Sequence, residues 1–274
     1  MWALEQPWTP RRESVLADAP LALLGSLGAG WVAIASLVRA GWLPSEALGI
    51  ATLIATHGGL LVTALAWGEA DSGVCLPAGA AAILIALIAL GAVAAAIHEW
   101  GAVAFLGTPV WLGALAFRGR LTGLGIGPGF SMRPVLMGGL IGACLGGHLL
   151  LSAAQTLGYP LRGGSASGLL ALWSYDVGAN VLSAECFFRG ALFNRLQRRW
   201  SFGPAAALST AFLLVRYLVD PLLPGESEVV VGALFYVTIL GVINSWLLWR
   251  SGSLAPGLLA AALFFLAYRA LAIG

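Results

Sequence analysis

Long apolar runs, separated by short breaks rich in polar residues, proline and glycine, dominate the chain from residue 21 onward. A helix that crosses a bilayer needs about 20 apolar residues, because every backbone polar group must be satisfied within the segment. The pattern therefore predicts an all-α, polytopic integral membrane protein with eight or nine transmembrane helices. The nine candidate segments are 21–38, 46–67, 78–97, 101–117, 134–157, 168–193, 204–219, 229–249 and 254–272.

Arginines orient the second half of the chain. Short cytoplasmic loops carry an excess of basic residues, and three predicted loops, each two spans from the next, contain arginine. The intervening loop at 220–228 has three acidic residues and no arginine, so we expect the arginine loops on the cytoplasmic side. These loops contain Arg118, Arg120 and Arg133, then Arg195, Arg198 and Arg199, and finally Arg250.

Segment 101–117 leaves the number of spans open, because it is short and contains Pro109. If it crosses the membrane, the N-terminus is cytoplasmic, which Arg11 and Arg12 favour. Arg39 favours the opposite arrangement, in which this segment is re-entrant or interfacial.

Composition excludes a soluble protein and a nucleic-acid-binding one. Only 9% of the residues are charged and 59% are hydrophobic, whereas roughly 25% of a soluble domain is charged. All 14 basic residues are arginine, and the net charge of +2 gives no basic patch for nucleic acid. The three cysteines form no CxxC or Cys/His cluster. The expected surroundings are the lipid bilayer and other membrane proteins.

Charged residues within the predicted spans divide the chain into two parts. Residues 1–133 form N-terminal transmembrane helices and a cytoplasmic glycine-rich loop, whereas 134–274 contain the charged residues that lie inside helices. Such charges are costly in a bilayer and mark candidate functional positions. The chemistry of the protein is therefore expected in 134–274.

Glu185 and Arg189 are four residues apart in one predicted span, a spacing that places them on one helix face and favours an ion pair. The pair alone favours a structural salt bridge over a catalytic group. Arg216 lies in the next span, where Asp220 or Asp176 would neutralise it.

The sequence around this pair resembles the CPBP family, the CAAX-protease and bacteriocin-processing (Abi) intramembrane proteins. The resemblance covers about 135–272 and rests on AECFFRGALFNRL at 184–196, PAAALSTAFLLVR at 204–216 and SGSLAPGLLAAALFF at 251–265. It implies a CPBP-like helical core and a prokaryotic cytoplasmic membrane location. It also implies a buried polar site of three motifs, EExxxR, FxxxH and HxxxN or HxxxD, with which active members cleave membrane-associated peptides or prenylated tails.

Only two of the six polar positions of these motifs match in this sequence. They are Glu185, as the second glutamate of EExxxR, and Arg189, as its arginine. No histidine follows His148, so the loss of both downstream histidines does not depend on the alignment. The other four polar positions carry different residues: Ala184 at the first glutamate, Arg216 and Ala261 at the two histidines, and Phe265 at the amide or acid.

The resemblance implies metalloprotease-like hydrolysis, in which a glutamate activates water while histidines and an amide hold that water or its metal and the oxyanion. Ala184 cannot accept a proton, Ala261 cannot bind a metal, and Arg216 stays charged and repels a divalent cation. Because losing one such group usually costs roughly 10²–10³ in rate, we predict a catalytically degenerate member without a bound metal. Glu185 and Arg189 are then structural remnants of the active site.

His57 and His148 lie within predicted spans, each beside paired glycines. A buried neutral imidazole can bind the iron of a haem or the magnesium of a chlorophyll-type pigment. Because a histidine hydrogen-bonded to a neighbouring helix is more common, we predict no cofactor and keep the pigment as an alternative.

Gly138, Gly142 and Gly146 form two overlapping GxxxG units, which predict close helix packing. The sequence leaves open whether the partner helix belongs to this chain or to another subunit.

Three functions follow from these observations. The preferred one is a catalytically inactive CPBP-like scaffold, assembly factor or accessory subunit that binds other subunits of a membrane complex. The alternatives are a divergent endopeptidase with Glu185 as its base, and a pigment- or haem-binding subunit.

Overall fold

The computed structural model describes residues 14–127, 131–156, 158, 160, 166–218 and 227–271. The regular secondary structure of these residues is helical, in nine continuous helices and one short 3-10 turn, Thr122–Leu124. The helices are α1 Leu21–Arg39, α2 Glu46–Ser72, α3 Ala80–Ile97, α4 Glu99–Phe117, α5 Met132–Thr156, α6 166–197, α7 Phe202–Leu218, α8 Ser227–Ser251 and α9 Ala255–Arg269.

Six of these helices are long and apolar enough to cross a membrane, namely α1 to α5 and the Leu234–Ser251 part of α8. Helices α7 and α9 are apolar but shorter, and α6 carries Asp176, Glu185 and Arg189 in its interior. The nine helices coincide with the nine apolar segments of the sequence. The protein is therefore an all-α integral membrane protein, as predicted.

Helix α4, whose crossing the sequence left open, is long enough to span the hydrocarbon core. Glu99–Leu106 is a 3-10 helix and Gly107–Phe117 is α-helical. Since a 3-10 helix rises about 2.0 Å and an α-helix about 1.5 Å per residue, the two parts cover roughly 32 Å. Pro109 lies near their junction, where the hydrogen-bonding pattern changes and a missing N–H is tolerated.

The loop after α4 returns to the side on which α2 ends. Arg120 Nη1 donates to the carbonyl oxygen of Cys75, between α2 and α3, at 3.0 Å. The backbone N–H of Leu254 donates to the carbonyl oxygen of Gly125 at 2.9 Å, which brings the turn between α8 and α9 to the same side. This is the side of the arginine-rich loops, for which the positive-inside rule predicts a cytoplasmic location.

Arg195 lies in the last turn of α6 and is buried, so its predicted place in a loop is wrong. Its Nη2 binds Asp71 at the end of α2 at 3.1 Å and Asp18 at 3.5 Å. Its Nη1 donates to the carbonyl oxygens of Val15 and Ala17. Because these partners neutralise and satisfy the guanidinium group, the helix extends past its predicted end. The contact also brings the segment before α1 to the side of the arginine-rich loops.

Helices from both halves of the chain share a hydrophobic core. Buried side chains such as Leu61 of α2 and Phe105 of α4 belong to the same cluster as Phe188 of α6. The division into 1–133 and 134–274 stays a prediction, and α6 packs directly on helices that precede the boundary.

Gly138, Gly142 and Gly146 of α5 face α9 of the same chain. A Cβ atom at Gly138 would overlap the backbone of Pro256, and one at Gly142 would overlap the backbone of Ala260. The two helix backbones therefore approach too closely to admit a side chain at these positions. The partner helix that the sequence left open is internal.

We expect Gly142→Val to destabilise the protein by roughly 2 kcal/mol, because the new side chain would overlap the backbone of α9. In thermal unfolding in detergent, the midpoint should then fall by about 4 °C or more. Gly147→Val is the matched control, since a Cβ atom there meets no atom within 4 Å. Equal midpoints for the two variants would contradict the close packing of α5 on α9.

Candidate functional site

Helix α6 is wound as a π-helix in two places, Asp176–Asn180 and Glu185–Phe193. A π-turn accommodates one residue more than an α-turn, is rare and is frequently found at functional sites. Each of the two π-helical parts begins with a buried acid. Helix α2, which packs on α6, has a π-turn of its own at Ile54–Gly58. The candidate site is therefore centred on α6.

Glu185 and Arg189 form a buried ion pair inside the helix bundle. Arg189 Nε lies 3.9 Å from Glu185 Oε2, which is too long for a hydrogen bond. Glu185 is 3% exposed and Arg189 is 0% exposed. Asn244 of α8 donates through Nδ2 to Glu185 Oε1 at 3.0 Å and to the carbonyl oxygen of Gly257 at 3.2 Å. These contacts connect the pair to α8 and to the start of α9.

Glycines on α8 and α9 provide the space that this pair occupies. A Cβ atom at Gly241 would overlap the guanidinium group of Arg189 and lie 2.9 Å from Thr210 Oγ1. A Cβ atom at Gly257 would lie 3.2 Å from Glu185 Oε2. The site is thus enclosed by α6, α7, α8 and α9, and two of these helices contribute glycine because a side chain would displace the ion pair.

Arg216, which the sequence predicts at the histidine position of the second motif, is held by Asn180 of α6. Its Nη1 donates to Asn180 Oδ1 at 2.7 Å, and Asn180 Nδ2 donates to Asp176 Oδ1 at 3.0 Å. Asp176 also accepts two hydrogen bonds from Arg269 of α9, at 2.6 and 3.0 Å. The link that we predicted between Arg216 and Asp176 therefore runs through Asn180. The other predicted partner, Asp220, lies outside the described residues.

The remaining motif positions, Ala184, Ala261 and Phe265, carry buried apolar side chains. The ring of Phe265 stacks on that of Tyr217, with centroids 5.9 Å apart and an interplanar angle of 13°. Ala261 and Phe265 belong to one buried cluster with Tyr236. The third motif is thus part of an aromatic cluster between α7, α8 and α9.

The two mid-span histidines differ in their surroundings. His57 is buried, with Nδ1 2.8 Å from Ser183 Oγ and Nε2 3.0 Å from Tyr175 Oη. Binding a haem or pigment through His57 would require one of these hydrogen bonds to break. His148 lies on the surface of α5, with Nδ1 2.7 Å from Tyr236 Oη. Ligation by either histidine stays an untested alternative to the prediction that no cofactor is bound.

The polar residues of the site do not suit a divalent metal ion. Among the residues that the structure describes, no group of three or more His, Cys, Asp or Glu side chains could hold one. Glu185 has Arg189 and Asn244 as neighbours, and the arginine would repel a second cation. The site therefore provides neither the ligands nor the negative charge that a metal ion requires.

Residues 166–266 match the model of the family described as type II CAAX prenyl endopeptidase Rce1-like. This segment is Rce1-like. It contains α6, α7, α8 and most of α9, which are the helices that enclose the site. The resemblance that the sequence indicated is confirmed over these residues, so this part of the membrane protein is CAAX-protease-like. No significant match was found among curated proteins or solved structures.

The sequence did not single out three residues that hydrogen-bond to charged groups of the site. They are Asn180, which binds Arg216, Asn244, which binds Glu185, and Arg269, which binds Asp176. An amide inside an apolar span is a usable signal, because it needs a partner on another helix. Asn180 also follows Asp176 by four residues, the spacing of neighbours on a helix. Which helix supplies each partner depends on the tertiary structure and does not follow from spacing.

If Glu185 and Arg189 are a structural pair, Glu185→Gln or Arg189→Met alone should destabilise the protein by about 3–5 kcal/mol, because each leaves a buried charge without its partner. The double variant should recover part of that loss. Thermal unfolding of the four proteins in detergent measures this coupling. A double variant no more stable than the weaker single variant would contradict the pairing.

Proposed function

We propose that this CAAX-protease-like membrane protein is catalytically inactive and acts by binding, as a scaffold, assembly factor or accessory subunit of a membrane protein complex. One observation carries the proposal. Arg216 stands where the motif has a histidine, and Asn180 holds its guanidinium group at 2.7 Å. An arginine that is permanently charged can neither accept a proton from water nor bind a metal ion.

The contacts around Arg216 give this position a structural role. Asn180 is bonded to Asp176, and Asp176 is bonded to Arg269, so four side chains connect α6, α7 and α9. A buried charge whose partner is removed destabilises a protein strongly. Arg216 is therefore needed for the packing of these helices. At this position the protein lacks the imidazole that, in active relatives, would bind a metal ion or accept a proton.

The two alanines support the same conclusion. Ala184 and Ala261 are buried and carry no group that could move a proton or stabilise an oxyanion. As a binding protein, the chain would keep the helical frame of the family and use it to hold other membrane subunits. The proposal also places it in a prokaryotic cytoplasmic membrane, as its resemblance to bacteriocin-processing proteins implies.

A divergent peptidase with Glu185 as the general base is the second candidate. One observation favours it, since Glu185 Oε2 makes no hydrogen bond to any of the described residues and has a lone pair available for a water proton. The burial of Glu185 opposes it, because a substrate would have to reach a carboxylate enclosed by Asn244 and Gly257.

The activity test uses the purified protein in lipid nanodiscs with membrane-anchored peptides, including tails with and without a prenyl group. We expect no cleavage above that of Glu185→Gln, because the water-activating groups are missing. Glu99→Gln, at an exposed glutamate of α4, is the matched control. Cleavage that disappears in Glu185→Gln while that variant still unfolds cooperatively above the assay temperature, and that persists in Glu99→Gln, would establish the peptidase.

The binding role is measured on the same protein, purified natively in mild detergent. Mass spectrometry of the purified complex should find a second membrane protein in a fixed ratio to this chain. A chain that purifies alone from its native membrane would contradict the scaffold, and visible absorption in the same peak would favour the pigment-binding alternative.

A further inference from the structure

Six buried polar atoms at the centre of the Rce1-like segment have no hydrogen-bond partner among the described residues. They belong to four side chains that are almost completely buried, with exposures of 3%, 0%, 3% and 1% for Glu185, Arg189, Thr210 and Asn244. Such atoms are rare, since leaving one unpaired costs about 1–3 kcal/mol. The atoms are Glu185 Oε2, Arg189 Nε, Nη1 and Nη2, Thr210 Oγ1, and Asn244 Oδ1.

These atoms lie close to one another. Glu185 Oε2 is 3.9 Å from Arg189 Nε, and Glu185 Oε1 is 3.0 Å from Asn244 Nδ2. A Cβ atom at Gly241 would approach both Arg189 Nη2 and Thr210 Oγ1, so these two groups are neighbours. Four side chains from α6, α7 and α8 therefore direct unpaired polar atoms into one region.

We propose that Glu185, Arg189, Thr210 and Asn244 hold water buried within the membrane-embedded part of the protein. The chemistry of the set selects this ligand. Arg189 offers only donors, Glu185 Oε2 and Asn244 Oδ1 offer only acceptors, and Thr210 offers both. A water molecule accepts and donates at once and satisfies two to four such partners. The opposite charges of the ion pair disfavour a metal cation or a free anion.

The distance within the ion pair is consistent with a bridging molecule. A polar contact longer than 3.5 Å is commonly mediated by water, and the Nε to Oε2 distance of 3.9 Å is in that range. Because Gly241 and Gly257 have no side chains, α8 and α9 leave space beside these polar atoms at those two positions. The proposal holds whether or not the protein cleaves peptides, because it needs none of the four altered motif positions.

The test is X-ray radiolytic labelling of the protein in lipid nanodiscs in ¹⁸O-labelled water. Radiolysis of a bound water oxidises the side chains beside it, even where bulk solvent has no access. We expect rapid ¹⁸O incorporation in the segment 185–193, although its residues are mostly buried. The segment 84–88 of α3, which contains the fully buried Leu84 and Ile88, is the apolar reference and should remain unlabelled.

Thr210→Val removes one polar partner with little change in shape and should reduce labelling of 185–193 several-fold. Thr63→Val is its matched control, because Thr63 is a buried threonine of α2 that bonds its own helix at Gly59. Labelling of 185–193 in the unmodified protein no faster than in 84–88 would overturn the proposal. An experimental structure in which Glu185 and Arg189 bond directly, with no water density beside them, would overturn it as well.

Discussion

The buried carboxylate of Asp176 is the constraint on which the arrangement of the Rce1-like segment depends. It accepts hydrogen bonds from Arg269 of α9 and from Asn180 one turn further along α6. An ionised group inside a bilayer costs several kcal/mol unless it is paired, so α6 and α9 cannot separate without leaving both charges unpaired. The same carboxylate orients Asn180, whose oxygen atom binds Arg216. One acid thus holds three helices together and determines the role of Arg216.

A second acid, Asp71, has a comparable role at the end of α6 that faces the arginine-rich loops. It binds Arg195 and Arg198 from the end of α6, while Arg195 also reaches the chain before α1. These contacts depend on arginine, because its planar group donates in several directions at once and a lysine could not replace it. Helix α6 is therefore held by ionic contacts at Asp176 and at its C-terminal end, and the pair of Glu185 and Arg189 lies between them.

The sequence predicts the helices well, because a bilayer accepts almost no other structure for such apolar segments. It also predicts the close approach at Gly142, since small residues at helical spacing have few other uses in a membrane. It does not predict that Asn180 stands between Arg216 and Asp176, or that Asn244 binds Glu185, because spacing along one helix does not show which neighbouring helix supplies a partner. The burial of Arg195 was likewise missed, since its partner Asp71 lies more than one hundred residues earlier.

We propose that Arg216 ties helices together at the position where the family motif has a histidine. Arg216→His tests it most directly, with thermal unfolding and peptide cleavage measured on the same preparation. The loss of a charged hydrogen bond of about 1.5–3 kcal/mol should lower the unfolding midpoint by about 4 °C or more, without any cleavage. A variant that keeps the original midpoint and begins to cleave membrane peptides would contradict the account.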